Sequence, residues 1–174
     1  MTPILKMVDI KNNKQHKTVK KLPVRKTVRA ILYRRTEQGY DFLLLYKTGK
    51  NYWQNPQGGQ KMDEGPLEAL LRESEEETGI PRSSLELIQS TKIQTEYITL
   101  RRRKKIKVDL IAYAIKVNGE HQLKLSKEHS NFKWVPYDEA RIIIGHKYKE
   151  QMEVFDAVCR ELFYQKFIRR SNLE

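Results

Sequence analysis

The stretch from Pro66 to Gly79 constrains the fold more than any other part of the chain, because both its ends and both its faces can be read from residue types. Pro66 suits a first helical turn, and Gly79 suits the position just past a helix end. Between them Leu67, Leu70, Leu71, Ser74 and Thr78 recur at helical spacing, which predicts one helix with that stripe buried. Glu73, Glu76 and Glu77 stand at i, i+3 and i+4 and share a face turned away from the leucines. Three carboxylates so close repel one another and cost stability unless a cation joins them. Oxygen-only ligands of high charge suit Mg²⁺ or Mn²⁺. A metal held there can bind phosphate oxygens and lower the pKa of a bound water. A solvated acidic helix face is the other reading of the same three residues.

The rest of the chain supplies strands. Thr27–Tyr33 is β-rich, Phe42–Tyr46 is a short apolar run, and residues 36–39 between them read as a hairpin turn. Tyr52–Gln54 is a short aromatic strand. Thr91–Leu100 and Val108–Val117 read as two strands joined by the basic run RRRKKIK, residues 101–107. Asn118-Gly119 signals a tight turn before a possible strand at His121–Leu125, and Phe132–Val135 reads as another. Pro136–Ala140 looks like a helix start. A last helix is expected from about Lys149 to Phe167, with Met152, Phe155, Val158, Cys159 and Leu162 inward. Strands separated by helices imply an α/β domain around a mixed sheet. Residues 1–23 are polar and basic, with a possible strand at 4–10 and a loop or tail at 12–21, so the domain is expected at 24–174.

Charge narrows the partners. The net charge is +12, of which residues 1–35 contribute +10 and residues 101–107 contribute +6, leaving a slightly acidic remainder. Such surface favours polyanions: phosphate chains, RNA or anionic lipid. Solubilising charge is the plainer alternative. The one cysteine, Cys159, excludes an intrachain disulfide and a cysteine-based zinc site, and fits a reducing compartment. No apolar run reaches the roughly 20 residues of a membrane helix. The expected location is the cytoplasm; the basic head, poor in Ser and carrying Asp9, is a weaker match to an organelle-targeting segment.

From Gly58 the chain runs GGQKMDEGPLEALLRESEEETGI, which resembles the Nudix box, G-x5-E-x7-R-E-U-x-E-E-x-G-U, where U is a bulky aliphatic. The fixed positions fall on Gly58, Glu64, Arg72, Glu73, Glu76, Glu77 and Gly79. Ser74 departs from the usual aliphatic; its hydroxyl can bond the Leu70 carbonyl one turn back, at a modest cost in packing. The resemblance implies a Nudix-type α/β/α sandwich with a mixed sheet. It also implies a Mg²⁺-dependent hydrolase that cleaves a pyrophosphate bond in a nucleoside polyphosphate by water attack on phosphorus. It makes Glu73, Glu76 and Glu77 metal ligands, with a backbone carbonyl at Gln57–Gly58 beside them. Glu73 becomes a candidate general base, and Arg72 pairs with and orients a box glutamate. Glu64 locks the loop to the helix, and Gly58 and Gly79 serve loop and cap geometry.

Outside the box, WQNPQGG at Trp53–Gly59 resembles the box entry of diadenosine tetraphosphate hydrolases and RNA 5′ pyrophosphohydrolases, with Asn55 in place of an apolar residue. Ser126–Ala140 resembles a segment of nucleoside triphosphate-directed Nudix enzymes. There the glutamate matching Glu128 approaches the metals as base or ligand. The substrate is therefore expected to be a nucleoside triphosphate or dinucleoside tetraphosphate, with a triphosphorylated RNA 5′ end as the alternative. A non-catalytic module that binds RNA or a protein is a further, weaker one. Tyr46 and Trp53 could stack a base, although core packing is the commoner case; Gly58 and Gly59 offer close backbone approach; and Arg101, Arg103 and Lys105 could clamp phosphates if they share a strand face, with a solvated hairpin tip as the alternative. His129 could carry a proton, although a hydrogen-bonded histidine is the commoner case. The chain is expected to act as a monomer or homodimer.

Overall fold

The computed structural model describes residues 21–101 and 103–171. The possible strand at 4–10 and nearly all of the 12–21 stretch lie outside the described residues. Eight strands form one mixed sheet: β1 (Val24–Thr36), β2 (Gly39–Lys47), β3 (Trp53–Gln54), β4 (Gln57–Gly59), β5 (Leu85–Leu87), β6 (Ile93–Arg101), β7 (Lys104–Val117) and β8 (His129–Pro136). The helices are α1 (Pro66–Thr78), α2 (Tyr137–Gly145) and α3 (Lys149–Ser171). The main path runs β3-β2-β1-β7-β5, with β8 on β2, β4 on β1 and β6 on β7.

β1 is the axis of the sheet. It pairs in parallel with β7 from Val24↔Lys107 to Tyr33↔Lys116. Its other edge takes β4 antiparallel at Thr27–Arg29 and then β2 antiparallel from Tyr33 onward. Alternation along β1 sorts its side chains onto two cores. Val28, Ala30 and Leu32 pack with Leu43, Leu45, Ala69 and Leu70 under α1. Ile31 and Tyr33 pack with Phe42, Leu44, Phe155, Val158, Cys159 and Leu162 under α2 and α3. Helices on both faces give the α/β/α sandwich that the resemblance implied. Phe155, fully buried and edge-on to Phe42 at 5.2 Å, contributes on the order of 2–3 kcal/mol by burial.

α1 has the bounds its sequence predicts. Ser74 is fully buried, and its hydroxyl donates to the Leu70 carbonyl at 2.8 Å, the bond expected from its place on the stripe. Gly79 adopts φ 73° and donates its N–H to Glu75 at 2.8 Å, closing the helix. Leu67 and Leu71 are only partly buried, because the sheet is met mainly by Ala69 and Leu70.

Three expectations about strands need correction. His121–Leu125 is not a strand: its backbone goes instead to the open end of α1, with Lys124 N–H bonding Thr78 O at 2.9 Å and Ser126 N–H bonding Glu77 O at 3.3 Å. The strands that the basic run joins reach further into it than expected: β6 extends to Arg101 and β7 begins at Lys104 rather than Val108, with Arg103 at φ 64° between them. β8 starts three residues earlier than expected, at His129, because it pairs along nearly the whole of β2.

Candidate active site

α1 and β4 build the site between them. Gly58 has no side chain, so the Glu73 carboxylate lies directly against β4, and a methyl group at Gly58 would overlap it. One helical turn on, buried Glu77 accepts the Gln57 N–H at 3.1 Å. Arg72, on the same turn as Glu73, uses all five of its donors. Nε and Nη2 fork Glu64 at 2.6 and 2.8 Å, and Nη2 also reaches Gly59 O at 3.0 Å. Nη1 is shared between Glu73 at 2.8 Å and Glu76 at 3.1 Å. The fork holds the Glu64 carboxyl down at about 2 and pushes the Arg72 guanidinium further up. The loop from Gly59 to Glu64 is thereby stitched to α1.

A cleft of about 480 Å³ opens above β4. Three carboxylates, Glu73, Glu77 and Glu128, and three cations, Arg25, Lys47 and Arg101, line it together with Tyr52 and Tyr97. Glu128 arrives from the segment that caps α1, and its carbonyl accepts the Thr48 N–H at 2.8 Å. Its carboxylate pairs with Lys47, which holds it below the usual carboxylate range. Burial pushes the Glu77 carboxyl up to about 8, with Glu73 and Glu128 adding to the effect.

Beneath the cleft runs a chain of buried polar groups. Arg29, 2% exposed on β1, donates from Nε and Nη2 to Gln57 Oε1 at 2.9 and 2.7 Å. Gln57 Nε2 donates to Gln54 Oε1 at 3.1 Å, and Gln54 Nε2 meets His129 Nε2 at 3.1 Å. Burial drives the His129 pKa down to about 4, so the ring is neutral at pH 7. Taking the donor from Gln54 assigns the ring proton to Nδ1, toward Ser126 Oγ at 3.5 Å. His129 Nε2 stands 3.9 Å from Glu77 Oε1.

The donor set fits a divalent cation. Acidic oxygens converge on one cleft, one of them is disfavoured as an anion by its surroundings, and Gly58, with no side chain, leaves the β4 backbone open beside Glu73. Among the described residues, no three acidic, histidine or cysteine side chains are placed to hold an ion as they stand. Arg72 holds both Glu73 and Glu76 by one nitrogen instead.

The sequence model of the NUDIX domain matches residues 23–162. The chain belongs to the Nudix family. The asymmetrical bis(5′-nucleosyl)-tetraphosphatase of Rattus norvegicus is 35% identical over 101 residues, 58% of this chain and 67% of its own. The RNA pyrophosphohydrolase of Hahella chejuensis is 48% identical over 46 residues, 26% of this chain and 29% of its own. Among solved structures, the C. elegans Ap4A hydrolase in a binary complex superimposes with a TM-score of 0.67 and 26% identity, covering 79% of this chain and 97% of that one. With its box intact, the chain is a Nudix pyrophosphohydrolase. Among the described residues no helix is long and apolar enough to cross a membrane.

The Nudix cleft gathers many of the residues singled out in the sequence and leaves others outside. Glu73, Glu77, Glu128, Gln57, Gly58, Gly59 and Arg101 line it. Glu76 does not; its side chain is 53% exposed and turned to Arg72. Tyr46 and Trp53 are also outside, because the β2–β3 register sets them opposite each other, with ring centroids 5.0 Å apart. The Tyr46 hydroxyl bonds Asn51, and Lys133 covers the Trp53 ring. Arg103 and Lys105 do not join Arg101: Arg101 pairs with Lys104 across the β6–β7 hairpin, and Arg103, at φ 64°, interrupts the strand alternation that would have aligned them. His129 is a buried, hydrogen-bonded histidine. Arg25, Lys47, Tyr52 and Tyr97 were not foreseen, and no local pattern marks them. Arg29 did leave a signal, a charge between Val28 and Ala30 in the apolar centre of β1.

Proposed function

We propose that this Nudix enzyme hydrolyses a pyrophosphate bond in a nucleoside 5′-polyphosphate, with a dinucleoside tetraphosphate or nucleoside triphosphate as substrate. The observation that carries the reading is the cleft in which box carboxylates meet three cations over β4, where Gly58 leaves room for the Glu73 carboxylate. A divalent cation, Mg²⁺ or Mn²⁺, bound by Glu73, Glu76, Glu77 and the Gln57 carbonyl would polarise phosphate oxygens and acidify a water. Glu76 can take part only by leaving Arg72. Arg25 and Arg101 hold phosphate oxygens by charge-assisted bonds, and Tyr52 and Tyr97 flank the nucleoside. A carboxylate takes the proton of the water that attacks phosphorus in line, and a phosphate-bearing group leaves. Lys47 weakens Glu128 as a base, which makes Glu73 the first choice. Likeness to the rat and nematode enzymes supports the small substrate. A second reading, a triphosphorylated RNA 5′ end, is favoured by the cationic wall and by the 48% identity over 46 residues to the bacterial RNA pyrophosphohydrolase.

The test is turnover of dATP, ATP, GTP, diadenosine tetraphosphate and a 5′-triphosphorylated RNA in Mg²⁺, with products resolved by chromatography. Glu77→Gln and Glu76→Gln should each lower kcat/KM at least a hundredfold while leaving the circular dichroism spectrum unchanged. Full activity in either variant would remove that residue from the site.

A further inference from the structure

Beyond Gly59 the cleft continues into a second pocket of about 540 Å³, bounded by the start of β1, the loop after β4 and the β6–β7 hairpin. Arg25, Gly59, Arg101 and Ile106 line both spaces, so whatever leaves the cleft over Gly59 enters the annex. The Arg25 guanidinium lies across this passage: a methyl group at Gly59 would stand 3.4 Å from its Nη2.

The annex is chemically unlike the cleft. Four cations line it, Arg25, Lys26, Lys61 and Arg101, and no carboxylate does. Among the described residues none of the four forms an ion pair. Like charges gathered without a counter-charge create a field that an anion relieves. Beside Gln60, its remaining wall carries the apolar side chains of Pro23, Val24, Met62 and Ile106, with Met62 fully exposed and Val24 53% exposed. Such a wall suits the sugar and base edges of a nucleoside.

We propose that the annex is a second anion subsite, which holds the first phosphodiester of a nucleic-acid strand whose 5′-polyphosphate occupies the cleft. This rests on the pyrophosphohydrolase reading and on its RNA form. A dinucleoside tetraphosphate keeps its negative charge in the polyphosphate bridge, within the cleft. Lys26 and Lys61 line only the annex, and a strand brings a phosphate there.

The test compares wild type with the double variant Lys26→Ala/Lys61→Ala, whose side chains are exposed and outside the hydrogen-bond network. Substrates are a 5′-triphosphorylated RNA hexamer, ATP and diadenosine tetraphosphate. The hexamer-to-ATP ratio of kcat/KM should fall tenfold or more, through KM. For a 5′-monophosphorylated hexamer followed by fluorescence anisotropy, the slope of log affinity against log salt should become shallower by about 0.7, from the one phosphodiester that loses its contacts. An unchanged ratio with an unchanged slope overturns the annex. An equal fall for diadenosine tetraphosphate overturns its assignment to a strand. If wild type hydrolyses none of the substrates, the pyrophosphohydrolase reading fails, and the anisotropy slopes still decide the annex.

Discussion

Two buried arginines flank the Nudix cleft, and they are held in opposite ways. Arg72 spends every donor, four bonds on carboxylates and one on a carbonyl. Arg29 has a single side-chain acceptor, the neutral amide oxygen of Gln57, and its Nη1 is buried with no hydrogen-bond partner. Burial lowers its pKa, whereas the glutamates raise that of Arg72. The contrast teaches that burial alone does not say what a charge is for. Arg72 ties loop to helix and neutralises acids that would otherwise repel. Arg29 props one side chain from below, in the residue whose N–H holds Glu77.

Replacing each arginine by methionine separates these roles. Arg72→Met leaves Glu64, Glu73 and Glu76 uncompensated and should cost about 3–5 kcal/mol in urea unfolding, with activity lost. Arg29→Met removes a charge that has no ionic partner, so its cost should stay within about 1 kcal/mol. Equal losses would break the comparison. The functional effect of Arg29→Met should appear as weaker Mn²⁺ binding by electron paramagnetic resonance, about threefold to tenfold, because Gln57 is freed while the carboxylates remain.

Glu77 and His129 sharpen the picture through pH. A His129 pKa near 4, against 6.5 unfolded, gives stability that is full above pH 6.5 and lost as pH falls toward 4. A Glu77 pKa near 8, against 4.5 unfolded, gives stability that is full below pH 4.5 and lost as pH rises through 8. The two oppose each other between pH 4.5 and 6.5, and above that only Glu77 acts. The metal-free protein should therefore lose up to about 2 kcal/mol between pH 6.5 and 8. Glu77→Gln should abolish that decline, and saturating Mg²⁺ should offset it in wild type. Thermal melts across this window decide the matter; a decline that survives Glu77→Gln would place its origin elsewhere.

The smallest expected effect concerns Ser74. Ser74→Ala removes the bond to Leu70 O and one buried hydroxyl together, so stability should shift by less than about 1 kcal/mol and activity not at all. A large activity change would mean that the buried stripe reaches the cleft.

α1 was legible because its signals are local: a proline, a glycine, a leucine stripe and a backbone bond from Ser74 all lie within fourteen residues. The hairpin at residues 36–39 was legible for the same reason. β4 was not, since three residues with two glycines carry no periodicity and become a strand only through β1. His121–Leu125 alternates like a strand but spends its backbone on the end of α1, a partner some forty residues earlier in the chain. Around the site, the box named the acids, whereas Lys47 meets Glu128 across 81 positions and Arg29 meets Gln57 across 28. Tyr46 and Trp53 carried two readings, because aromatic residues beside a box look alike whether they stack on a ligand or on each other, and only the β2–β3 register shows that they face each other.

The long parallel pairing of β1 with β7 sets an order of events during folding. Its partners lie roughly eighty residues apart, so the loop between them must close before any ladder bond forms. Until β7 exists, β1 has its antiparallel neighbours on one edge only, and Arg25, Thr27 and Arg29 have no wall opposite them. On a growing chain the box helix can form early, while the cleft it serves cannot assemble until Glu128, the last residue in sequence that lines it, has left the ribosome. Hydrolytic competence should thus arrive late and in one step, and a chain truncated before β7 should gain no partial activity from its intact box.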